Sequence, residues 1–409
     1  PPRDTFIGVV DFFQLGSSGE AGLRRGRRRR CSGRRPWMLT APRSMAVYDV
    51  VIVGGGLCGL FLARQLEQQG CGSYALLEAH PTTLGGRLRN SPEGLDLGAA
   101  WVWPQYGQRH APQLAEDLGL RLFPQPQQGM DSFRVEGGTY AMIERIAADL
   151  PKEKLRLDFP VARISLVPDE GATLEVDNGE PNTEKGKDDV CGEHLVVEST
   201  EGATVRARRC VLAVPPELIA ESISFEPELP SRRIAAMRAA KTWMAGVTKV
   251  VMTYDSKFWH GKGLGVGSSG PAFQVYDAST EDESVVGITF FAFSEVDLTD
   301  EEFAQQCLEQ LLHFHELTGG APGDEFASAA KAYGTLFVQR WSKEPFVSAN
   351  PSPKTVYPHP HPVPALSRPE WNGKLLFAGT ETDLREPGLV EGAVGAAKRA
   401  FKQLEESRG

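Results

Sequence analysis

A chain of 409 residues, 41% of them hydrophobic and 24% charged, is long enough to bury a sizeable core and to form two domains. It has no apolar run of about 18 residues, which argues against a spanning helix. Its net charge of −9 hides an asymmetry: residues 1–45 hold ten arginines against Asp4, Asp11 and Glu20, a balance of +7, so the remainder carries −16, and an acidic body argues against nucleic acid as a partner.

The basic leader, residues 1–45, lacks the apolar surface to join a core, so a disordered, non-catalytic segment is expected. Arg27 to Arg30 are consecutive, but no aromatic residues interleave them as nucleic-acid binding would favour. Two origins fit its composition. It is either an acid-poor organellar presequence or upstream sequence ahead of Met45, where a compact enzyme would begin. The second implies a cytoplasmic protein, the first an organellar one.

Residues 50–59, VVIVGGGLCG, form a β-branched run that breaks into Gly54-x-Gly56-x-x-Gly59. A buried strand, a glycine turn and a helix from Leu57 to Gln69 are expected, the order a dinucleotide requires. Gly54 permits the tight turn, Gly56 lets the backbone approach a pyrophosphate, and Gly59 lets the helix pack close on its strand. The helix start offers free N–H groups and its positive dipole end to phosphates. A second strand, Tyr74 to Leu77, ends in Glu78 about 20 residues on, where a carboxylate can accept from ribose hydroxyls.

Leu84-Gly85-Gly86-Arg87-Leu88 comes next. Arg87, after two glycines, can approach the pyrophosphate and supply forked donors. Gly98-Ala99-Ala100-Trp101 sets small residues where a planar ring could lie against backbone. Helices are expected over 109–118 and 138–150, the second from the apolar spacing of Thr139 to Ile146. Strands follow at Val161 to Leu166, His194 to Val197 and Thr204 to Ala207, and Cys210 to Val214 reads as a further buried strand halted at Pro215-Pro216. Residues 168–193, rich in Asp, Glu, Gly, Pro and Asn, read as an exposed hairpin insertion. Beyond these come a helix from Ser231 to Ala240, strands at 246–254 and 285–293, and helices at 300–316 and 325–333. Lys249 lies inside the first of those strands, where alternation would turn a lysine to solvent unless it has a task in the interior. Leu375 to Thr382 reads as a strand ending in the Gly379-Thr380 turn. Gly388 to Ala393 then opens a helix over 390–406, whose start can stabilise negative charge.

Six cysteines (Cys31, Cys58, Cys71, Cys191, Cys210 and Cys307) are scattered without a C-x-x-C pair or a histidine at ligand spacing. Neither a zinc site nor a disulfide framework is expected, and a reducing compartment fits. Cys58, inside the glycine turn, reads as a small packing residue. His359 and His361 alternate with prolines, which hold a segment extended, so a linker is expected there rather than a metal site.

Five of these blocks, in this order, resemble the flavin-containing amine oxidase family, which includes monoamine oxidases, polyamine oxidases and L-amino-acid oxidases. They are the Gly54 turn with Glu78, Gly85-Gly86-Arg87, Gly98 to Trp101, Leu375 to Thr382, and Gly388 to Ala393, and the resemblance runs from about Val47 to Leu404. It implies an α/β fold: a discontinuous Rossmann-like FAD-binding domain (46–105, 138–225 and 355–409) carrying an inserted α+β substrate domain (106–137 and 226–354) of mixed sheet flanked by helices. FAD is the implied cofactor. Val161 matches the position whose backbone meets the adenine. Ala100 and Trp101 match the stretch that lies against the flavin ring, and Gly379, Thr380 and Val390 match the turn and helix start at the phosphate and flavin carbonyl end. Lys249 matches the lysine that holds a water against flavin N5, with Phe258-Trp259 matching the aromatic pair downstream, and Trp341 matches the tryptophan packed on the ring.

The same resemblance has departures. Monoamine oxidases tether flavin through a cysteine about nine residues after this tryptophan; Asn350 stands there, and Pro351 replaces the adjoining aromatic, so FAD is expected to be non-covalent. The second aromatic of the amine-guiding cage is replaced by Leu389, with Trp101, Trp103 and Phe346 as candidate substitute walls. The implied reaction is hydride transfer from an amine-bearing carbon to the flavin, with oxygen as acceptor and peroxide as product. A desaturase-like enzyme acting on an apolar non-amine, or a flavin-binding partner protein with weak catalysis, are the alternatives. Small-molecule substrate and oxygen are the expected partners, with no membrane anchor.

Overall fold

The computed structural model describes residues 47–127, 130–169, 192–261, 263–267, 269–293, 298–349 and 359–407. The leader, most of the insertion expected at 168–193, and Asn350 and Pro351 lie outside the described residues. In chain order the elements are β1 (Tyr48–Val53), α1 (Leu57–Gln68), β2 (Tyr74–Leu77), α2 (His110–Asp117), β3 (Leu122–Gln127), β4 (Met130–Val135) and α3 (Tyr140–Asp149). There follow β5 (Leu155–Arg156), β6 (Val161–Pro168), β7 (Glu193–Ser199), β8 (Thr204–Leu212), α4 (Pro216–Ser222), β9 (Ser224–Glu226) and α5 (Ser231–Ala239). The remainder are β10 (Val247–Tyr254), β11 (Ala272–Asp277), β12 (Val286–Phe293), α6 (Asp300–Leu317), α7 (Glu325–Lys331), β13 (Leu336–Arg340), β14 (Leu375–Phe377) and α8 (Val390–Glu406).

The larger sheet runs β5-β2-β1-β8-β7-β6-β9, with β14 joined to β8. Its centre is β1, parallel to β2 on one side and to β8 on the other. Both faces of β1 are covered, which is why its sequence is a continuous apolar run rather than an alternation. Val50 and Ile52 face one way into a cluster with α1, α3 and α8, while Val51 and Val53 face the other, with Ile164, Leu195 and Phe377. Within α1, Leu60, Leu62 and Leu66 are buried, each contributing roughly 1.5–3 kcal/mol of transfer free energy. The stretches 204–207 and 210–214, expected as two strands, are largely one: β8 continues through Arg208 and Arg209, pairing β7 with its first half and β14 with its second. No turn residue separates them.

The smaller sheet, β11-β12-β10-β13, is antiparallel throughout. The mixture of pairings expected there belongs to the larger sheet, where β6-β7-β8 is antiparallel and the rest parallel. The reason is connectivity: β10, β11 and β12 follow one another without the crossover helix that parallel neighbours need. Val250, Met252, Ile288 and Phe290 pack under α6 and α7. The opposite face of β10, with Val247 and Val251, meets Trp101 on one side and Leu95 and Leu97 on the other. Helix α6 begins with a capping box in which Thr299 Oγ1 accepts from the Glu302 amide and the Glu302 carboxylate accepts from the Thr299 amide. A third, two-stranded sheet pairs β3 with β4. Among the described residues no helix is long and apolar enough to cross a membrane.

Candidate active site

A cleft of about 400 Å³ runs from the β1 glycine turn to the inner face of β10. Of the residues singled out from the sequence, Gly54, Gly56, Glu78, Gly86, Arg87, Ala100, Trp101, Val161, Lys249, Trp341, Gly379, Thr380 and Val390 all line it. Gly59 does not, and its position explains why. A Cβ there would stand 2.0 Å from the Gly54 carbonyl oxygen, so it is the close-packing glycine between helix and strand.

Gly54 has φ +105°, and a Cβ on it would lie 2.7 Å from the Ala213 oxygen. Gly56 differs: its φ is −75°, and a Cβ would meet nothing nearer than the Gly85 oxygen at 3.9 Å. The space in front of Gly56 therefore belongs to the cleft. Neither N-cap residue, Gly56 of α1 or Leu389 of α8, makes a side-chain capping bond, and Leu57 and Val390, the first residue of each helix, line the cleft. Two helix starts with free N–H groups thus converge on it. Glu78 is buried; one carboxylate oxygen accepts from the Gly55 amide at 2.6 Å and the other from the His80 amide at 2.7 Å. Each oxygen retains a lone pair for a further donor.

Arg87 reaches the cleft with its fork already engaged, donating to the two Glu381 oxygens at 2.6 and 3.3 Å. It therefore brings donors but a charge that Glu381 offsets. Glu391, in register with Glu381 in the sequence, turns away: its carboxylate accepts from the amides of Arg109, His110 and Ala111 at the start of α2. Cys58 is buried beneath the turn, and burial pushes its thiol up to about 12. It is a packing residue with no thiolate to offer.

Lys249 is 1% exposed, so alternation carries it inward. Its ammonium donates to the Asp96 carbonyl oxygen and to the Tyr276 hydroxyl, both at 3.1 Å, and lies 4.8 Å from the Phe291 ring centre. Asp96 is fixed in turn by Arg134 and Thr139. Trp341 donates its indole N–H to the Leu97 carbonyl at 2.9 Å, and the Arg89 guanidinium sits over its ring. The cleft walls beside it are Trp101, Trp103 and Phe346, together with Trp243 and Phe291, which sequence reasoning missed. Phe291 is the cross-strand partner of Lys249, and a period-two reading of 285–293 would have exposed it. Trp243 stands beside Gly388, whose Cβ would lie 3.6 Å from it, next to Leu389. No local pattern marks that contact, 145 residues apart in sequence.

The family model described as flavin containing amine oxidoreductase matches residues 126–403, and an NAD(P)-binding Rossmann-like model matches residues 52–128. The chain belongs to the flavin-containing amine oxidoreductase family. It is similar to a probable flavin-containing monoamine oxidase A of Dictyostelium discoideum, 22% identical over 88% of this chain and 98% of that one. A putrescine oxidase of Kocuria rosea is 33% identical over 44% of this chain and 36% of its own length. Among solved structures, cyclohexylamine oxidase from Brevibacterium oxydans matches in fold with a TM-score of 0.66 at 19% identity, covering 89% of this chain and 100% of that chain. The protein is thus an FAD-dependent oxidoreductase of the amine oxidase type. The open space before Gly56, the two uncapped helix starts and the buried Glu78 carboxylate fit a dinucleotide at that end of the cleft.

Proposed function

We propose that this enzyme oxidises the carbon beside an amine nitrogen, with oxygen as terminal acceptor: R–CH2–NH2 + O2 + H2O gives R–CHO + NH3 + H2O2. FAD, held without a covalent tether, would supply the acceptor for the hydride, with its electron pair, that leaves that carbon. Gly54, Gly56 and the α1 start would bind the pyrophosphate, Glu78 the ribose and Val161 the adenine. Ala100, Trp101, Gly379, Thr380 and the α8 start at Val390 would hold the ring end, with Arg87 adding donors and Gly59 keeping α1 close. The larger sheet would then be the core of the FAD-binding segments 46–105, 138–225 and 355–409. The β3-β4 pair and the smaller sheet would carry the substrate segments 106–137 and 226–354.

The observation that carries this reading is Lys249: a buried ammonium aimed into an aromatic cleft, with two neutral acceptors and a third N–H to present. It can hold a water or a proton where reduced oxygen develops negative charge. Trp341 and the other aromatic walls keep the site dry and orient the substrate. A panel of amines supplied to the aerated holoenzyme tests the reading: oxygen uptake matched by peroxide supports it. Leu389, in place of an aromatic, favours a second reading, dehydrogenation of an apolar non-amine; flavin reduction by such a compound and by no amine would decide for it.

A further inference from the structure

Beyond the nucleotide end with Glu78, the one carboxylate that lines the cleft among the described residues is Glu344. It is tied through Gln339 to the strand that pairs with β10 at Lys249. Gln339 is the cross-strand partner of Lys249, so their side chains share a face of the sheet, and Gln339 donates to Glu344 Oε1 at 2.8 Å. Arg89 donates to both Glu344 oxygens, at 2.8 and 3.4 Å, and to Gln339 at 3.1 Å. The Arg89 guanidinium also lies 5.5 Å from the Trp341 ring centre. The carboxylate is therefore neutralised by a forked partner that is itself locked on the cleft wall.

Resting on the amine-oxidation reading, we propose that the substrate carries one amine on an apolar body, and that the Arg89–Glu344 pair excludes diamines and polyamines. An apolar tail gains from the aromatic walls. A second ammonium would leave water for a wall whose one carboxylate among the described residues is already paired, and burying a charge without a partner is strongly unfavourable. The pair thus acts as a repulsive element against the doubly charged competitor.

Hexylamine and 1,6-diaminohexane differ by the one terminal ammonium and form the test. Anaerobic flavin reduction in the holoenzyme should favour hexylamine by roughly 10²-fold or more in kcat/KM, since Glu344, the carboxylate on that wall among the described residues, is already engaged by Arg89 and Gln339. Arg89→Met keeps the packing stem while freeing Glu344, and should cut that preference at least about tenfold. Adding Glu344→Gln to Arg89→Met should restore it. Equal use of the two amines by the wild type, or a gain in diamine use that survives Glu344→Gln, would overturn the inference. The same pair with both hydrogens on each amine-bearing carbon replaced by methyl cannot be oxidised, and its binding is read from the shift in the bound-flavin spectrum. If neither hexylamine nor the diamine reduces the flavin but the blocked monoamine binds in preference, the oxidation reading falls and the exclusion stands. Equal binding of the blocked pair sinks the exclusion itself.

Discussion

Replacing Lys249 with Met removes an ammonium without opening a cavity, because the two side chains have similar length and the site is buried. Two acceptors, the Asp96 carbonyl and the Tyr276 hydroxyl, lose their donor. Orphaning them costs about 1–3 kcal/mol of stability, a loss that a protein of this size survives. The kinetic effect should be larger and selective. Loss of a preorganised donor facing developing charge in a water-excluded site costs about 10²–10³ in rate, or 2.7–4 kcal/mol. That charge develops when oxygen is reduced, whereas breaking the substrate C–H bond needs mainly a well-placed carbon, which the aromatic walls supply. Stopped-flow measurement of the two half-reactions separates the cases. Lys249→Met should slow the oxygen half-reaction by that factor and the amine half-reaction far less. If both slow equally, or neither changes, Lys249 is a packing residue and the oxidase chemistry assigned to this cleft loses its support.

Other substitutions report on other parts of the site. Acid precipitation should release yellow flavin into the supernatant, and colour retained in the pellet would reveal a covalent tether. Gly56→Ala should fold normally, since its Cβ meets only the Gly85 oxygen at 3.9 Å. Its methyl enters the cleft, however, and overpacking of about 1–3 kcal/mol corresponds to flavin affinity lowered by roughly 5- to 150-fold; unchanged flavin content would move the pyrophosphate elsewhere. Glu391→Ala should lower thermal stability by about 2–3 kcal/mol through three unpaired amides at the α2 start, and a neutral result would show that water replaces the carboxylate. Burial holds the Cys58 thiol protonated far above its ordinary value of 9.0, to about 12. Cys58 should therefore resist alkylation at pH 8 in the native protein, and the stability this group contributes should fall as pH climbs from 9 toward 12. Rapid labelling of Cys58 at pH 8 would contradict that.

Much of the Gly54–Glu78 end of the cleft was legible because its signals are local. The β-branched run, the three glycines and Glu78 lie within 30 residues of one another, and each has a single stereochemical reason to be where it is. The bounds of α1, α5 and α8 followed from periodicity and proline or glycine punctuation to within a residue. The hairpin β3-β4 was missed because Pro124 and Pro126 argue against a strand interior; here both lie on β3, which pairs with β4 along one edge and with no other described strand. Helix α4 was hidden for the opposite reason, since Pro215-Pro216 reads as a stop, yet Pro216 is its first residue and proline suits that position. The β10 end of the cleft was least legible. Trp243 meets Gly388, Arg89 meets Glu344 and Lys249 meets Tyr276 across long loops of chain, and no spacing rule encodes such pairs. Even at Arg87, which lines the cleft, no local pattern marks the engagement of its fork with Glu381, 294 residues away.

The most direct measurement is an anaerobic titration of the purified holoenzyme with benzylamine, following the flavin absorbance and the aldehyde together. Loss of the oxidised flavin spectrum with one benzaldehyde formed per flavin is the expected result, and full colour should return on admitting air with one peroxide released. A protein that retains its FAD yet keeps its full oxidised spectrum with benzylamine and with every other primary amine would contradict amine oxidation at this cleft.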